Sequence, residues 1–223
     1  MFAVEVIREY RFPMPFSVET YYKGERYTSA YVVEQTANTN TSVEVAERRP
    51  IENVKGGQYT KTIYNLGKSF PSFLQPLIPK DKLQLIEESW NMGDHFDSKV
   101  SCPYAKNRYE MTITTIMSSD LNAQNIFDLS PEDLRRREIV PIKISDETPS
   151  MCCYKLIKFK LNMFGSHLIT PFFFSQQQAR FTRFHNHMYD TKNKWINKTI
   201  EEISEYEKSA SQPCSTDVDN AVK

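Results

Sequence analysis

The sequence predicts an α+β domain from three observations: strand-forming stretches recur from the amino end to about residue 160, helical spacing runs through long stretches near both ends, and no linker divides the 223 residues. Hydrophobic residues make up 39% of the chain and aromatics 13%, enough for one sizeable core, with twelve Tyr and fourteen Phe supplying much of its volume. One folded domain is expected over residues 1–208, followed over 209–223 by a loose polar tail containing Pro213.

At the amino end, Phe2, Val4 and Val6 alternate with Ala3 and Glu5, and Ile7 to Phe12 continues a strand that Pro13-Met14-Pro15 stops. Ser17 caps a helix over about 17 to 36. In it Glu19 favours the positive end, while Tyr21, Tyr22, Tyr27, Tyr31 and Val32 form an aromatic surface and Gly24 weakens the interior. A polar loop from Thr36 to Ser42 leads to a short strand, Val43 to Ala46, and Arg48 to Gly57 turns into the stretch Gly56 to Leu66. In that strand Gln58, Thr60, Thr62, Tyr64 and Leu66 share one side, and Tyr59, Lys61, Ile63 and Asn65 the other. Neither side is purely apolar. The Thr60 side suits either a mixed cavity or a surface strand of β-favouring threonines.

Prolines repeatedly break Phe70 to Pro79, which reads as a packed loop or a short helix. Leu83 to Trp90 forms a strand with Asn91 at its end, where a turn cap is one reading of the asparagine. Tyr109, Met111, Ile113 and Thr115 alternate with Glu110, Thr112 and Thr114, marking a strand over 108–117. Ser130-Pro131-Glu132-Asp133 starts a short helix, Ile139 to Ile144 is extended, and Met151 to Lys160 is a strand. Phe172-Phe173-Phe174 follows Pro171 and packs beneath a helix that opens on a capping box at Ser175 to Gln178. Phe181, Phe184, Met188, Trp195, Thr199 and Ile203 recur at helical spacing, with a bend near Asp190 to Asn193.

Several functions find no support. Lys plus Arg equals Asp plus Glu at 28 each, so the charge balance gives no argument for nucleic acid, and Arg135-Arg136-Arg137 reads as a solvated face. Cysteines at 102, 152, 153 and 214 lack a CxxC pair and suit reduced thiols; no metal-ligand set is present, and His185 with His187 does not make an HExxH pair. Neither a GxSxG elbow nor a phosphate-binding glycine loop accompanies the polar residues, which argues against a hydrolase or phosphotransferase, and no cofactor is expected. No stretch approaches the roughly 20 apolar residues that span a bilayer, and a cytoplasmic location is expected.

Val6 to Val18, Gly57-Gln58-Tyr59-Thr60 with Ile63-Tyr64, Glu88-Ser89-Trp90-Asn91, Met151 to Gly165 and Phe181 to Trp195 resemble, in that order and spacing, the phosphatidylinositol transfer proteins. The resemblance reaches from the amino end to Glu207. It implies a helix-grip, START-like fold, in which a curved, mainly antiparallel sheet and long helices enclose one phospholipid. It also implies a monomeric carrier that exchanges phosphatidylinositol and phosphatidylcholine between membranes and touches their surfaces transiently. A buried phosphate without donors is costly, and hydrogen bonds with a basic side chain offset that cost.

The same resemblance assigns candidate residues. Thr60, Asn91 and Glu207 match positions that meet the inositol ring, Ser98, Thr115 and Lys155 match the phosphate's surroundings, and Gln176 falls near the headgroup. Thr62 stands where the family carries a lysine, and Lys61, one place away, points to the opposite face, so the alternatives are a related carrier with altered headgroup specificity (phosphatidylcholine, phosphatidic acid or another lipid) or a non-transferring interaction module. Read without the resemblance, Lys155 is a solvent-exposed strand lysine and Glu207 a solvated helix glutamate. Phe96 and Phe184 border the lipid cavity, Phe96 replacing a family cysteine. Met163 and Phe164, before Gly165, occupy the family's membrane-docking tip, although on their own they read as core. Only Ser145 to Ser150 fills the place of a long regulatory loop.

Overall fold

In the computed structural model, residues 3–37, 43–54, 57–65, 82, 84–93 and 95–210 are described. In chain order they form β1 (Val4–Met14), α1 (Val18–Ala37), β2 (Val43–Pro50), β3 (Gln58–Asn65), β4 (Gln84–Asn91), β5 (His95–Ser101), β6 (Tyr109–Ser118), α2 (Pro131–Arg136), β7 (Arg137–Pro141), β8 (Met151–Leu161), α3 (Ser166–Asp190), α4 (Lys192–Trp195) and α5 (Ile200–Ala210). The strands make one eight-stranded sheet in the order β2-β3-β4-β5-β6-β8-β1-β7. Every pairing is antiparallel except β1 with β7. The α+β expectation therefore holds, with short antiparallel steps dominating.

Most predicted elements form where their patterns lie. Ser17 Oγ accepts the Thr20 N–H at 3.1 Å, capping α1, and Ser130 Oγ does the same for Asp133 ahead of α2, with Pro131 in the first turn. The bend expected near residue 190 is the break between α3 and α4. Strand β2 runs on to Pro50, past a register shift between Val45 and Glu47, so the turn into β3 is shorter than expected. Strand β5 was not anticipated from the pattern of its residues. Of the loop expected from Thr36 to Ser42, residues 36 and 37 belong to α1, and residues 38–42, the proline-rich stretch 70–79 and residues 211–223 lie outside the described residues.

The main correction concerns α3, which starts at Ser166 rather than Ser175 and runs through Pro171. Proline removes one backbone donor near the start of a long helix. Offsetting that loss, Phe173 stacks on Phe159 of β8 at 4.9 Å between centroids and Phe174 meets the same ring edge-on at 5.5 Å. Ser175 lies inside the helix and donates to Phe172 O, so it caps nothing. A capping box does form in front of α5: Thr199 N–H donates to Glu202 Oε2 at 2.7 Å, and Glu202 N–H to Thr199 Oγ1 at 3.2 Å. Helix α5 extends to Ala210, two residues beyond the expected domain end.

The core lies between the sheet and the helices α1, α3 and α4, with Tyr10, Phe12, Tyr21, Phe181, Met188 and Trp195 buried in it. Gly24 is explained here: a Cβ at that position would lie 2.6 Å from the Trp195 indole, so glycine lets α1 approach the tryptophan. A smaller cluster of Ile7, Leu129 and Leu156 fills the other face of the sheet under α2. At the parallel edge the buried Glu9 carboxylate accepts from Arg11 and Arg137, each at 2.6 Å.

Candidate ligand site

Directly opposed residues on neighbouring strands share a face, so the register arranges the helix-covered face in rows. The first row reads Gln58, Asn91, Phe96, Thr115, Lys155 and Tyr10. One step along lie Thr60, Ser89, Ser98, Ile113 and Ile157, and beyond them Thr62, Glu87, Val100, Met111 and Phe159. Thr60, Thr62, Asn91, Ser98, Thr115 and Lys155 therefore share one face, while Lys61 lies on the other, opposite Glu88 and Glu47. The sheet changes character along its strands: amide, hydroxyl and amine groups lie in the first two rows, and apolar residues take over at the β5–β8 end of the third.

Lys155 is held in the first row by two contacts. Its Nζ donates to the buried Thr115 Oγ1 at 3.1 Å and lies 5.3 Å from the centroid of Phe181 on α3. Helix α1 closes this end: Tyr22 packs near Phe96, with ring centroids 6.5 Å apart, and Glu25 accepts from Ser29 Oγ at 3.0 Å. Asn91 Oδ1 accepts the Gly93 N–H at 2.9 Å, so its acceptor does cap a turn while the residue stays in the polar row.

Glu207 reaches the same end from α5, but it is not a solvated helix acid. Arg26 of α1 grips both of its oxygens, through Nε at 3.0 Å and through a second guanidinium nitrogen. The sequence reading missed Arg26. Its guanidinium carbon lies 5.8 Å from the Tyr22 ring centroid, which ties the α1–α5 ion pair to the aromatic side of the first row.

Beyond the polar rows lies a cavity of about 230 Å³, bounded by Glu87, Val100, Met111 and Phe159 of the third row, by Tyr64, Leu85, Tyr109 and Leu161, and by the first half of α3. Its walls are mostly apolar. At one corner Glu87, Tyr64, Gln176, Gln177 and Arg180 gather, and the Tyr64 hydroxyl donates to Glu87 Oε2 at 2.6 Å. Of the residues expected at the site, Gln176 and Met163 line this cavity. Gln176, expected near the headgroup, stands at this corner with Arg180 and not in the Lys155 row. Phe184 and Phe96 pack against the core and are not among the cavity's lining residues.

The expected docking tip divides in two. Gly165 adopts φ 79°, the left-handed conformation that glycine tolerates, and starts α3. Phe164 is 75% exposed and Leu168 52%, whereas Met163 is only 6% exposed and lines the cavity. Met163 is thus cavity wall, and Phe164 with the unanticipated Leu168 forms the exposed apolar pair. Periodicity along β4 inward from Asn91 would have flagged Ser89 and Glu87, and helical spacing between Gln176 and Phe184 would have flagged Arg180.

Two titratable groups beside Lys155, the half-buried Glu25 and the fully buried His185, make opposite demands. Burial pushes the Glu25 carboxyl up to about 7, opposed by the nearby Lys155 charge. Burial and then Lys155 push His185 down to about 3. The imidazole is therefore neutral, with Nδ1–H donating to Phe181 O at 2.8 Å, Nε2 accepting from Tyr21 OH at 2.9 Å, and the ring stacked on Phe12. A raised carboxyl pKa stabilises the fold below about pH 4.5, and that contribution is lost as pH rises through 7. A depressed histidine pKa stabilises it above 6.5, and that contribution is lost as pH falls toward 3. The two slopes oppose each other between. Glu25→Gln is expected to unmask the histidine slope and to gain stability over wild type as pH rises from 4.5 to 8, by about 3 kcal/mol at the upper end at roughly 1.4 kcal/mol per unit. Urea denaturation across that range measures it, and a pH-independent difference contradicts the assignment.

The buried thiols of Cys102, Cys152 and Cys153 are free, and burial pushes Cys152 up to about 12, which leaves it a poor nucleophile. Among the described residues no cluster of His, Cys, Asp and Glu could hold a metal ion, and no helix is long and apolar enough to cross a membrane.

A mainly antiparallel sheet covered by long helices, with a polar end and an apolar cavity on the covered face, defines a helix-grip α+β domain. The chain belongs to the phosphatidylinositol transfer protein family, whose model matches residues 5–150 and 144–212. It is 26% identical to phosphatidylinositol transfer protein 1 of Dictyostelium discoideum over 241 residues, covering 91% of each chain. It is likewise 26% identical to the human phosphatidylinositol transfer protein beta isoform, over 95% of this chain and 94% of that one. Human membrane-associated phosphatidylinositol transfer protein 2 is also 26% identical, over 92% of this chain but only 18% of its own length.

Proposed function

We propose that this chain is a phospholipid carrier that takes up one phosphatidylinositol or phosphatidylcholine molecule and exchanges it between membranes, without chemical conversion. The observation that carries this reading is the gradient along the covered face, from Lys155, Thr115, Asn91, Ser98 and Thr60 into the apolar cavity bounded by Met111, Phe159 and Leu161. Polar side chains replace water around the headgroup, and the cavity receives acyl chain as it leaves the bilayer. A volume of about 230 Å³ lies below the roughly 300–1,000 Å³ of common small-molecule pockets, so whole-lipid entry requires the cavity to widen. The same small volume favours, as a second reading, an interaction module that no longer transfers lipid.

Exchange of labelled phosphatidylinositol and phosphatidylcholine between two vesicle populations decides between them. The carrier reading expects protein-dependent transfer of at least one lipid, and transfer no faster than in protein-free vesicles favours the interaction module. Phe164 and Leu168 are the proposed membrane contact. Phe164→Ser is expected to weaken vesicle sedimentation by roughly tenfold, the scale of one lost aromatic burial, with unchanged thermal stability. Undiminished sedimentation would place the docking surface elsewhere.

A further inference from the structure

Arg180 is a cation that the family resemblance did not assign. It projects from α3 into the cavity corner with its guanidinium carbon 5.8 Å from the Tyr64 ring centroid and 5.9 Å from that of Phe181. Lys155 lies against the same Phe181 ring at 5.3 Å, so one aromatic is flanked by the two cations. Among the described residues no carboxylate forms an ion pair with Arg180 within 4.0 Å, although Glu87 stands at the same corner. Glu87 is directly opposite Thr62, so Arg180 brings charge to the place on the strands where residue 62 carries none. Burial opposes charge on the guanidinium, but Tyr64 and Glu87 more than offset it. Gln177 adds amide capacity here: its Oε1 is buried without a hydrogen-bond partner among the described residues.

A guanidinium at the polar corner of a mostly apolar cavity is a planar fork of donors suited to phosphate or carboxylate oxygens. Glu87 accepts from the Tyr64 hydroxyl and makes no ion pair with the guanidinium, so Arg180 has no carboxylate at ion-pair distance among the described residues. We infer that Arg180 is a specificity-determining residue of the ligand site, pairing with an anionic group of the bound lipid and favouring anionic over zwitterionic phospholipid. The inference rests on the carrier reading. It places the ligand's negative charge between Lys155 on β8 and Arg180 on α3, with the Phe181 ring as a common wall.

The test loads wild type and Arg180→Gln from vesicles containing equal phosphatidylinositol and phosphatidylcholine, then quantifies both bound lipids. Wild type is expected to favour phosphatidylinositol, and the variant to lose roughly tenfold in the ratio of the two, the scale of one charge-assisted contact. Arg180→Lys should restore part of the ratio, and Thr62→Lys added to Arg180→Gln should restore it by returning a cation beside Glu87. Displacement of the fluorescent fatty acid cis-parinaric acid, compared with its uncharged methyl ester, reads the same charge preference without a phospholipid. An unchanged phosphatidylinositol ratio with intact loading overturns the role of Arg180 alone. Absence of any phospholipid from wild type overturns the carrier reading, and an equal response of fatty acid and ester in wild type and variant then overturns Arg180 as well.

Discussion

Lys155→Met is expected to reduce phospholipid loading by roughly 30- to 100-fold, the scale for removing one partner of a desolvated, hydrogen-bonded charge pair. The methionine keeps most of the stem's volume while deleting the charge that reaches Thr115 Oγ1 and lies against Phe181. Both headgroups share a phosphate, so phosphatidylinositol and phosphatidylcholine should fall together, unlike the ratio change expected from Arg180. Lipid quantified from purified protein after vesicle incubation gives the answer, with circular dichroism to show that the fold persists. A folded Lys155→Met protein that loads lipid like wild type would remove Lys155 from the site.

Trp195→Ala is expected to destabilise the domain by about 3–5 kcal/mol, in the range for deleting a large buried aromatic. Trp195 has no exposed surface, donates Nε1–H to Met188 O at 3.0 Å, meets Phe16 edge-on at 5.4 Å, and fills the space left by Gly24. One side chain thereby joins α1, the end of α3 and the segment after β1. The urea midpoint should fall with little change in its slope, and a loss under about 1 kcal/mol would show that the helices are held chiefly by other contacts.

These expectations rest on features of unequal legibility. Alternation over 108–117 and over β3 dictated which side chains share a face, and the register put Thr60, Thr62, Asn91, Ser98, Thr115 and Lys155 on one side. A period of two is set by the backbone and survives most tertiary contexts. The start of α3 was less legible. Pro171 and the Ser175 to Gln178 pattern both suggested a later helix, yet aromatic packing on Phe159 outweighs one missing hydrogen bond.

The site was readable where one strand alone determines position and opaque where distant elements meet. Nothing local in the sequence marks that Arg26 would grip Glu207 across 181 residues, or that Arg180 would stand beside Tyr64 and Glu87. Thr62 raised the question of where a second cation comes from, and the packing of α3 over the sheet supplies Arg180. Met163 and Phe164 are adjacent and were read together, but the left-handed turn at Gly165 sends one to the cavity and leaves the other in solvent.

Native mass spectrometry of the protein after incubation with vesicles of phosphatidylinositol and phosphatidylcholine tests the central claim most directly. One phospholipid per chain is expected, with phosphatidylinositol enriched over its share in the vesicles. A spectrum containing only lipid-free protein would contradict it.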